Sequence, residues 1–231
     1  VSGTSISFGS EATFASVTTS VTQIAYDSDA QKNIIVYRNQ TTSPYSGFLI
    51  PATISGTSVS FGTATSFTST SFAEPALAYD ADQKKVVLAY SDANNSYYGT
   101  AKVFQTGYTS RNLTSENYIG MSSGTAFQTG SAAAVGSKTE FESGNVKSET
   151  IGAVYDPDNQ KIIISYVDDD NSDYGTAVVG TLSGTTVSYG TPAVFESGTT
   201  SYTAIGYDTA NDKVVIANKD ESNYNYGTSV V

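Results

Sequence analysis

The chain has 231 residues, and its 22 acidic and 11 basic residues give a formal net charge of −11. It contains neither Cys nor His, which excludes disulfides, thiolate metal sites, Cys nucleophiles and catalysis by a His base. The acidic balance argues against a nucleic-acid partner, because phosphate binding needs clustered Lys and Arg, and no apolar run is long enough for membrane insertion.

The apolar residues predict an all-β protein. They are mainly Val, Ile, Tyr and Phe, with 17 Tyr and 10 Phe, and these residue types favour strands. Residues that favour helices are scarce. The hydrophobic share of 39% is enough to build a core.

Four similar units follow one another from the N-terminus. Each contains a Tyr-Asp pair, and the pair recurs after 53, 76 and 52 residues, at Tyr26-Asp27, Tyr79-Asp80, Tyr155-Asp156 and Tyr207-Asp208. A unit reads as four strands separated by turn-forming residues. The first strand ends at the Tyr-Asp pair, and the second is an apolar run. The third begins at Tyr-Gly-Thr, with a weaker version, Tyr45-Ser46-Gly47, in the first unit. The fourth carries a Phe, which is Phe14, Phe67, Phe141 or Phe195.

Repeats of this length with four antiparallel strands are typical of propeller blades. The last unit stops within its third strand, and the first residues read as the missing fourth strand. The sequence therefore predicts one domain, a β-propeller of four four-stranded antiparallel blades whose last blade is closed by both termini. The alternative is an open β-repeat array that continues between subunits. The expected segments are a closing strand at 1–16 and blades at 17–69, 70–145, 146–197 and 198–231, with a protruding insert at 107–128 in the second blade.

The third unit carries a resemblance to known proteins. Its text, YDPDNQKIIISYVDDDNSDYGTAVVGTLSGTTVSYGTPAVFES, resembles the repeats of about 52 residues in phage tail-fibre-like and large extracellular surface proteins of aquatic microbes. The insert NLTSENYIGMSSG resembles a segment that accompanies such repeats. The resemblance implies a surface-exposed, fibre-associated or adhesive role, and it brings no catalytic signature.

Acidic residues cluster in the loop between the second and third strands of the third unit. Oxygen ligands grouped on a loop suit Ca²⁺, so this loop is a candidate metal site. The alternative interpretation is ordinary turn chemistry, in which Asp side chains accept backbone hydrogen bonds. The candidate ligands are Asp168, Asp169, Asp170 and Asp173.

Two further sets of residues suggest contact with sugar. Exposed tyrosines beside Asn and Asp are candidates for stacking on glycans, although packing between blades would use Tyr equally well. These are Tyr97, Tyr98 and Tyr224. Three asparagines match the pattern for N-glycosylation, namely Asn39, Asn94 and Asn112.

From these features we expect a non-enzymatic structural subunit of an extracellular fibre or appendage, glycosylated or Ca²⁺-binding, whose partners are copies of itself. The alternative is a phage or bacterial adhesin head that binds surface polysaccharide. The paired Asp residues after each first strand would suit a glycosidase, but they recur in several units, which favours a structural role. The expected location is extracellular or on a virion or cell surface. Residues 1–16 are expected to pair with strands from 200–231, within one molecule or between neighbours.

Overall fold

The computed structural model describes residues 8–41, 43–105, 134–147 and 150–231. Within these ranges the chain forms strands β1–β17 and one 3-10 turn at Asp169–Asn171, and it contains no α-helix. The all-β prediction is therefore confirmed. The strands are β1 (Thr19–Asp27), β2 (Lys32–Asn39), β3 (Ser46–Ser55), β4 (Ser58–Phe61), β5 (Thr65–Thr68), β6 (Phe72–Asp80), β7 (Lys85–Asp92), β8 (Tyr98–Gln105), β9 (Ala134–Val135), β10 (Thr139–Asn145), β11 (Gly152–Asp156), β12 (Lys161–Asp168), β13 (Tyr174–Ser183), β14 (Thr186–Tyr189), β15 (Ala193–Asp208), β16 (Lys213–Asp220) and β17 (Tyr226–Val230).

Antiparallel pairing of consecutive strands groups them into four units. Unit 1 contains β1–β5 and unit 2 contains β6–β10. Unit 3 contains β11–β14 and the first part of the long strand β15, which pairs with β13. The second part of β15 pairs with β16 and is the first strand of unit 4. The fourth strand of units 1–3 is split into two pieces that pair with different parts of the third strand.

Unit 4 ends at β17, which pairs with β16 alone among the described strands. Residues 8–16 form no strand, and they lie on unit 1, where the ring of Phe14 contacts Tyr37 and Phe61. The described strand pairs include none between residues 8–16 and β17, so closure of the last blade by both termini stays a prediction. Residues 1–7 and the expected insert at 107–128 lie outside the described residues.

Two hydrophobic clusters fill the spaces between units 1 and 2 and between units 2 and 3. Strand β7 is buried along its whole length because its alternating side chains enter both clusters. Val86, Leu88 and Tyr90 pack with unit 1, whereas Val87 and Ala89 pack with unit 3. Each large apolar side chain buried in this way contributes about 1.5–3 kcal/mol. The contacts between units, rather than single sheets, therefore form the core.

The first strands of consecutive units are neighbours: β1 contacts β6, β6 contacts β11, and β11 contacts β15. Side chains from all four units meet at one cavity between these strands. Residues of all four units therefore line one shared cavity. Among the described residues, none forms a helix long and apolar enough to cross a membrane.

Candidate functional site

The Asp of each Tyr-Asp pair holds the turn between the first and second strands. In unit 2 the Asp80 Oδ1 atom accepts hydrogen bonds from the backbone N–H groups of Asp82 (3.0 Å) and Gln83 (2.8 Å). Asp27, Asp156 and Asp208 accept the corresponding pairs of bonds in the other units. Hydrogen bonds from Asn211 and Ala210 lower the pKa of Asp208, as expected for a carboxylate bonded in its charged form. These residues are structural.

The Tyr of the same pair joins its unit to the preceding one. The Tyr79 hydroxyl accepts a hydrogen bond from the Asp29 N–H (3.2 Å), and the Tyr155 hydroxyl donates to the Asp82 carboxylate. Burial and the Asp82 carboxylate raise the pKa of Tyr155, so this phenol keeps the proton that it donates. Tyr207 makes the corresponding bond to the third unit. Tyr26 has no unit before it in the described chain, and it is 52% exposed.

In units 1–3, the Gly at the start of the third strand lies beneath the Phe of the fourth strand. A Cβ atom on Gly99 would stand 2.4 Å from the Phe141 ring, and the corresponding clash with Phe67 at Gly47 is also 2.4 Å. Gly175 is covered by Phe195 in the same way, at 2.5 Å. The repeated Gly is therefore required by a ring that covers it. We call Gly47, Gly99 and Gly175 the interface glycines.

Two of the covering rings, Phe67 and Phe141, also pack on aromatic rings of the next unit. Phe141 lies 5.3 Å from the Tyr166 ring at 59° and 6.1 Å from the Tyr189 ring at 64°. Phe14 lies 5.3 Å from Tyr37 at 59° and 6.1 Å from Phe61 at 65°. Residues 8–16 therefore have, against unit 1, the position that a fourth strand has against the unit that follows it.

Close backbone approaches at two equivalent glycines also show that residues 8–16 lie on unit 1 as a fourth strand lies on the unit that follows it. A Cβ atom on Gly136 would stand 2.3 Å from the Thr185 carbonyl oxygen, and one on Gly9 would stand 1.9 Å from the Thr57 carbonyl oxygen. Gly9 precedes Phe14 by five residues, as Gly136 precedes Phe141. Among the described strand pairs, none joins this segment to a third strand.

In the part of the chain that the structure describes, unit 4 lacks the element that residues 8–16 resemble. It has a third strand, β17, but no fourth strand among the described residues. Gly227 occupies the position of the interface glycines, yet a Cβ atom placed on it would meet nothing within 4 Å. On β16, Val215 is 37% exposed and Ala217 is exposed, whereas the equivalent Val87 and Ala89 on β7 are fully buried. One face and one edge of unit 4 are thus uncovered.

The cavity that residues of all four units line, which we call the axial pocket, has a volume of about 340 Å³. This lies within the range of about 300–1,000 Å³ that small-molecule sites occupy. Its lining includes one carboxylate and one tyrosine that is 59% exposed. The lining residues are Val21, Thr22, Gln23, Glu74, Pro75, Ile151, Tyr202 and Thr203.

Bulges in the first strands shape the axial pocket. Val21, Glu74 and Tyr202 stand at the same place in units 1, 2 and 4, each with a positive φ of 46–52° at a shift in register. Such backbone is strained for residues other than Gly, and bulges often lie beside functional sites. The three side chains differ, although the residues that build the units repeat. This variation gives the pocket an asymmetric lining.

The structure places the four predicted calcium ligands at the junction of units 2 and 3. Asp168 accepts the Asn171 N–H and begins the 3-10 turn. Asp169 and Asp170 accept hydrogen bonds from the Asn145 side chain and backbone, and Asp173 forms an ion pair with Lys147 at 2.8 Å. These bonds tie the loop to the end of the preceding unit. The calcium assignment stays a prediction.

The carboxylates in this loop repel one another. A hydrogen bond shared with Asp173 raises the pKa of Asp169, and burial followed by the charge of Glu142 raises the pKa of Asp168. The Oδ1 atom of Asp173 is buried and has no hydrogen-bond partner.

A different acidic group could hold a metal ion. Within the described ranges, three carboxylates that each offer an oxygen within 4.8 Å of the others occur at Asp156, Asp158 and Asp212. The Tyr207 hydroxyl lies 2.5 Å from an oxygen of Asp158 and from one of Asp212. The group joins the turns of units 3 and 4. The sequence identifies two of its members as Asp-x-Asp, but it does not reveal that Asp212 joins them.

The candidate sugar-contact residues lie apart from one another. Tyr97 and Tyr98 stand at the loop between β7 and β8 of unit 2, and Tyr224 stands at the corresponding loop of unit 4. Tyr97 is 50% exposed, Tyr224 is 83% exposed, and Tyr98 is half-buried. The structure does not bring them into a single surface with the axial pocket, whose tyrosine is Tyr202.

Of the candidate glycosylation sites, Asn94 is exposed in the loop after β7. Asn39 is half-buried at the end of β2, where its side chain accepts the Thr41 N–H at 2.9 Å. Asn112 lies outside the described residues.

The sequence did not predict the axial pocket or the interface glycines as functional features. The sequence does carry a signal for the interface glycines, since a Gly and a Phe recur at corresponding positions of the units. Such a repeated pair indicates that the ring covers the glycine. The pocket left no such signal, since its residues differ between units. No protein-family model matches the chain, and the search of curated proteins finds no match.

Proposed function

We propose that the chain is a non-enzymatic structural subunit of an extracellular fibre or appendage, in which copies join end to end. One observation carries this proposal. Among the described residues, the first strands of consecutive units contact one another three times, and the matching surfaces on units 1 and 4 stay exposed at Ile24, Tyr26, Val215 and Ala217. A subunit whose two ends are complementary halves of one interface is suited to add copies of itself.

The proposal includes the finer fold, in which the units are the blades of a four-bladed propeller. The meeting of all four first strands at the axial pocket supports this arrangement. The acidic surface would keep a fibre hydrated, and glycan or bound Ca²⁺ at the acidic groups would suit an extracellular location.

Electron microscopy and sedimentation of the purified full chain test this function. We expect regular filaments, or oligomers that grow in single-subunit steps as protein concentration rises. Isolated particles of one size at every concentration would contradict the proposal.

The second candidate is an adhesin head, and the asymmetric axial pocket favours it. A carboxylate, an amide, hydroxyls and one Tyr ring are groups that recognise neutral or amino sugars, and the lining holds no cation for an anionic one. A glycan array with a strong saccharide signal that Tyr202→Ala removes would support this function. The matched variant Tyr224→Ala separates binding in the pocket from binding on the loops, and an array without signal would reject the candidate.

A further inference from the structure

We propose that residues 8–16 of one copy complete unit 4 of a second copy, by pairing with β17 and placing the Phe14 ring over Gly227. This inference rests on the proposed end-to-end assembly and specifies its joint. The mode is strand addition to an open sheet edge, in which backbone hydrogen bonds join the chains and side-chain pockets select the partner.

The vacant place at Gly227 is the first argument. In units 1–3 the interface Gly is covered by the ring of the fourth strand, at 2.4–2.5 Å from a built Cβ atom. In unit 4 the same Gly is open. Nothing in an isolated unit 4 requires Gly at this position, because a Cβ atom would meet no neighbour. A ring arriving from outside the described unit does require it.

Phe14 is the ring that fits. Its distances and angles to Tyr37 and Phe61 match those of Phe141 to unit 3. The segment is therefore already held in the pose of a fourth strand. What it lacks is the third strand on its other side, and β17 is a third strand without a fourth.

The equivalent joint inside the chain gives the register. Thr139 pairs with Ala101, and Glu142 pairs with Gly99. Phe141 is equivalent to Phe14, and Gly99 is equivalent to Gly227. In the proposed joint, Ala12 would therefore pair with Ser229, and Ala15 with Gly227. Ala12 and Ser229 are exposed in the single chain, and Ser229 pairs with Ala217 of β16 on its other side.

The uncovered face of unit 4 supports the same joint. Val215 and Ala217 occupy positions that unit 3 covers in β7. The first unit of a second copy, carrying Tyr37 and Phe14, would cover them as unit 3 covers Val87 and Ala89. The joint would thus continue an interface that the chain already makes.

The ends of the single chain favour a second copy over closure within one molecule. Ile24 and Tyr26 on β1 are 59% and 52% exposed, whereas the equivalent Leu77 and Tyr79 on β6 are partly covered by unit 1. The later part of β1, which holds Ile24 and Tyr26, is therefore not covered by the described residues of unit 4 in its own chain. Both ends are formed before they meet, so two copies can dock without rearrangement.

Cysteine crosslinking tests the joint, because the natural chain has no Cys. Ala12→Cys and Ser229→Cys are made in separate chains, mixed, and oxidised. Opposed residues on neighbouring strands have Cβ atoms about 4.5–5.5 Å apart, close enough for a disulfide after a small adjustment. We expect a covalent dimer from the mixture, and none when Thr209→Cys on the turn after β15 replaces Ser229→Cys.

Gly227→Val tests the place of the ring. We expect it to raise the concentration at which half of the chains assemble by roughly tenfold or more, the loss given by one excluded aromatic contact. Gly190→Val is the matched control, since a Cβ atom there stands 3.7 Å from its nearest neighbour on the outer edge of unit 3. The control should assemble normally.

The results of the two experiments distinguish a wrong joint from a wrong proposal of end-to-end assembly. Filaments that form without the A12C–S229C crosslink, and that Gly227→Val does not weaken, would overturn the joint and leave the function standing. A crosslink found only when both Cys are in one chain, with the protein monomeric, would show closure within the molecule and overturn the inference. Absence of both assembly and crosslink would overturn the joint and the proposed function together.

Discussion

At the scale of single residues, the Gly of the Tyr-Gly-Thr motif shows how a repeated residue can serve packing rather than backbone conformation. None of the interface glycines has a positive φ, so an Ala could adopt the same backbone. What excludes Ala is the ring above it. Replacing Gly should therefore destabilise the protein where a ring covers the position and have little effect on the monomer where none does.

We expect Gly99→Ala to lower the free energy of unfolding by about 1–3 kcal/mol, because the new methyl group forces the buried Phe141 ring to move. Gly227→Ala should leave the monomer within about 0.5 kcal/mol of the natural chain. Urea unfolding of the two variants at a dilution that keeps the protein monomeric is the measurement. Equal losses at both positions would show that Gly is needed for another reason.

The raised pKa of Asp169 makes a prediction about pH. A carboxyl whose folded pKa lies above its unfolded value binds protons more tightly in the folded state, so stability falls as pH rises through that interval. We expect Asp169→Asn to match the natural chain below pH 3.8, the ordinary Asp value, and to be more stable at neutral pH. The gain should not exceed about 1 kcal/mol, since solvent screens much of the loop.

Thermal unfolding with and without Ca²⁺ decides between the two interpretations of this loop. If Asp169 is a calcium ligand, added Ca²⁺ raises the melting temperature of the natural chain, and Asp169→Asn removes that rise. If the loop only joins units 2 and 3, Ca²⁺ changes neither protein.

At the scale of elements, the hairpin turn after each first strand depends on one carboxylate. Asp80 is 2% exposed and accepts two backbone hydrogen bonds, whereas the equivalent Asp208 is half-exposed and accepts the same two. Loss of a hydrogen-bonding partner costs more where the freed N–H groups are shielded from water.

We therefore expect Asp80→Ala to cost about 1–3 kcal/mol of unfolding free energy and Asp208→Ala clearly less. Chemical denaturation of both variants checks the order. A larger loss of unfolding free energy in Asp208→Ala than in Asp80→Ala would contradict the link between burial of the turn and the cost of losing its carboxylate.

Elements also show what the sequence could predict. The recurring Tyr-Asp pairs, apolar second strands and Tyr-Gly-Thr starts predicted the order and approximate bounds of the strands, because each signal is local. The bulges at Val21, Glu74 and Tyr202 were missed, since a shift in register depends on the partner strand. The bonds from Asn145 to Asp169 and Asp170 were missed for the same reason: they join residues more than 20 positions apart.

At the scale of the whole molecule, the four units are not equally supported. Units 2 and 3 each contribute to an apolar cluster with a neighbour, and β7 is covered on both faces. The described residues of unit 4 contribute to neither cluster. Along β16 the side chains alternate between buried Ile216 and Asn218 and exposed Val215 and Ala217. In a repeat protein, stability is close to a sum of units and of nearest-neighbour interfaces. Unit 4, which contributes to neither apolar cluster, should therefore open first.

Amide hydrogen exchange of the monomer should show this gradient. We expect β7 and β12 to exchange most slowly, and β16 and β17 to exchange fastest among the second and third strands, because unit 4 contributes to neither apolar cluster. In assembled material β17 should become as protected as β8, since both would then pair with a fourth strand. If β17 stays fast while filaments form, copies of the chain join through another surface.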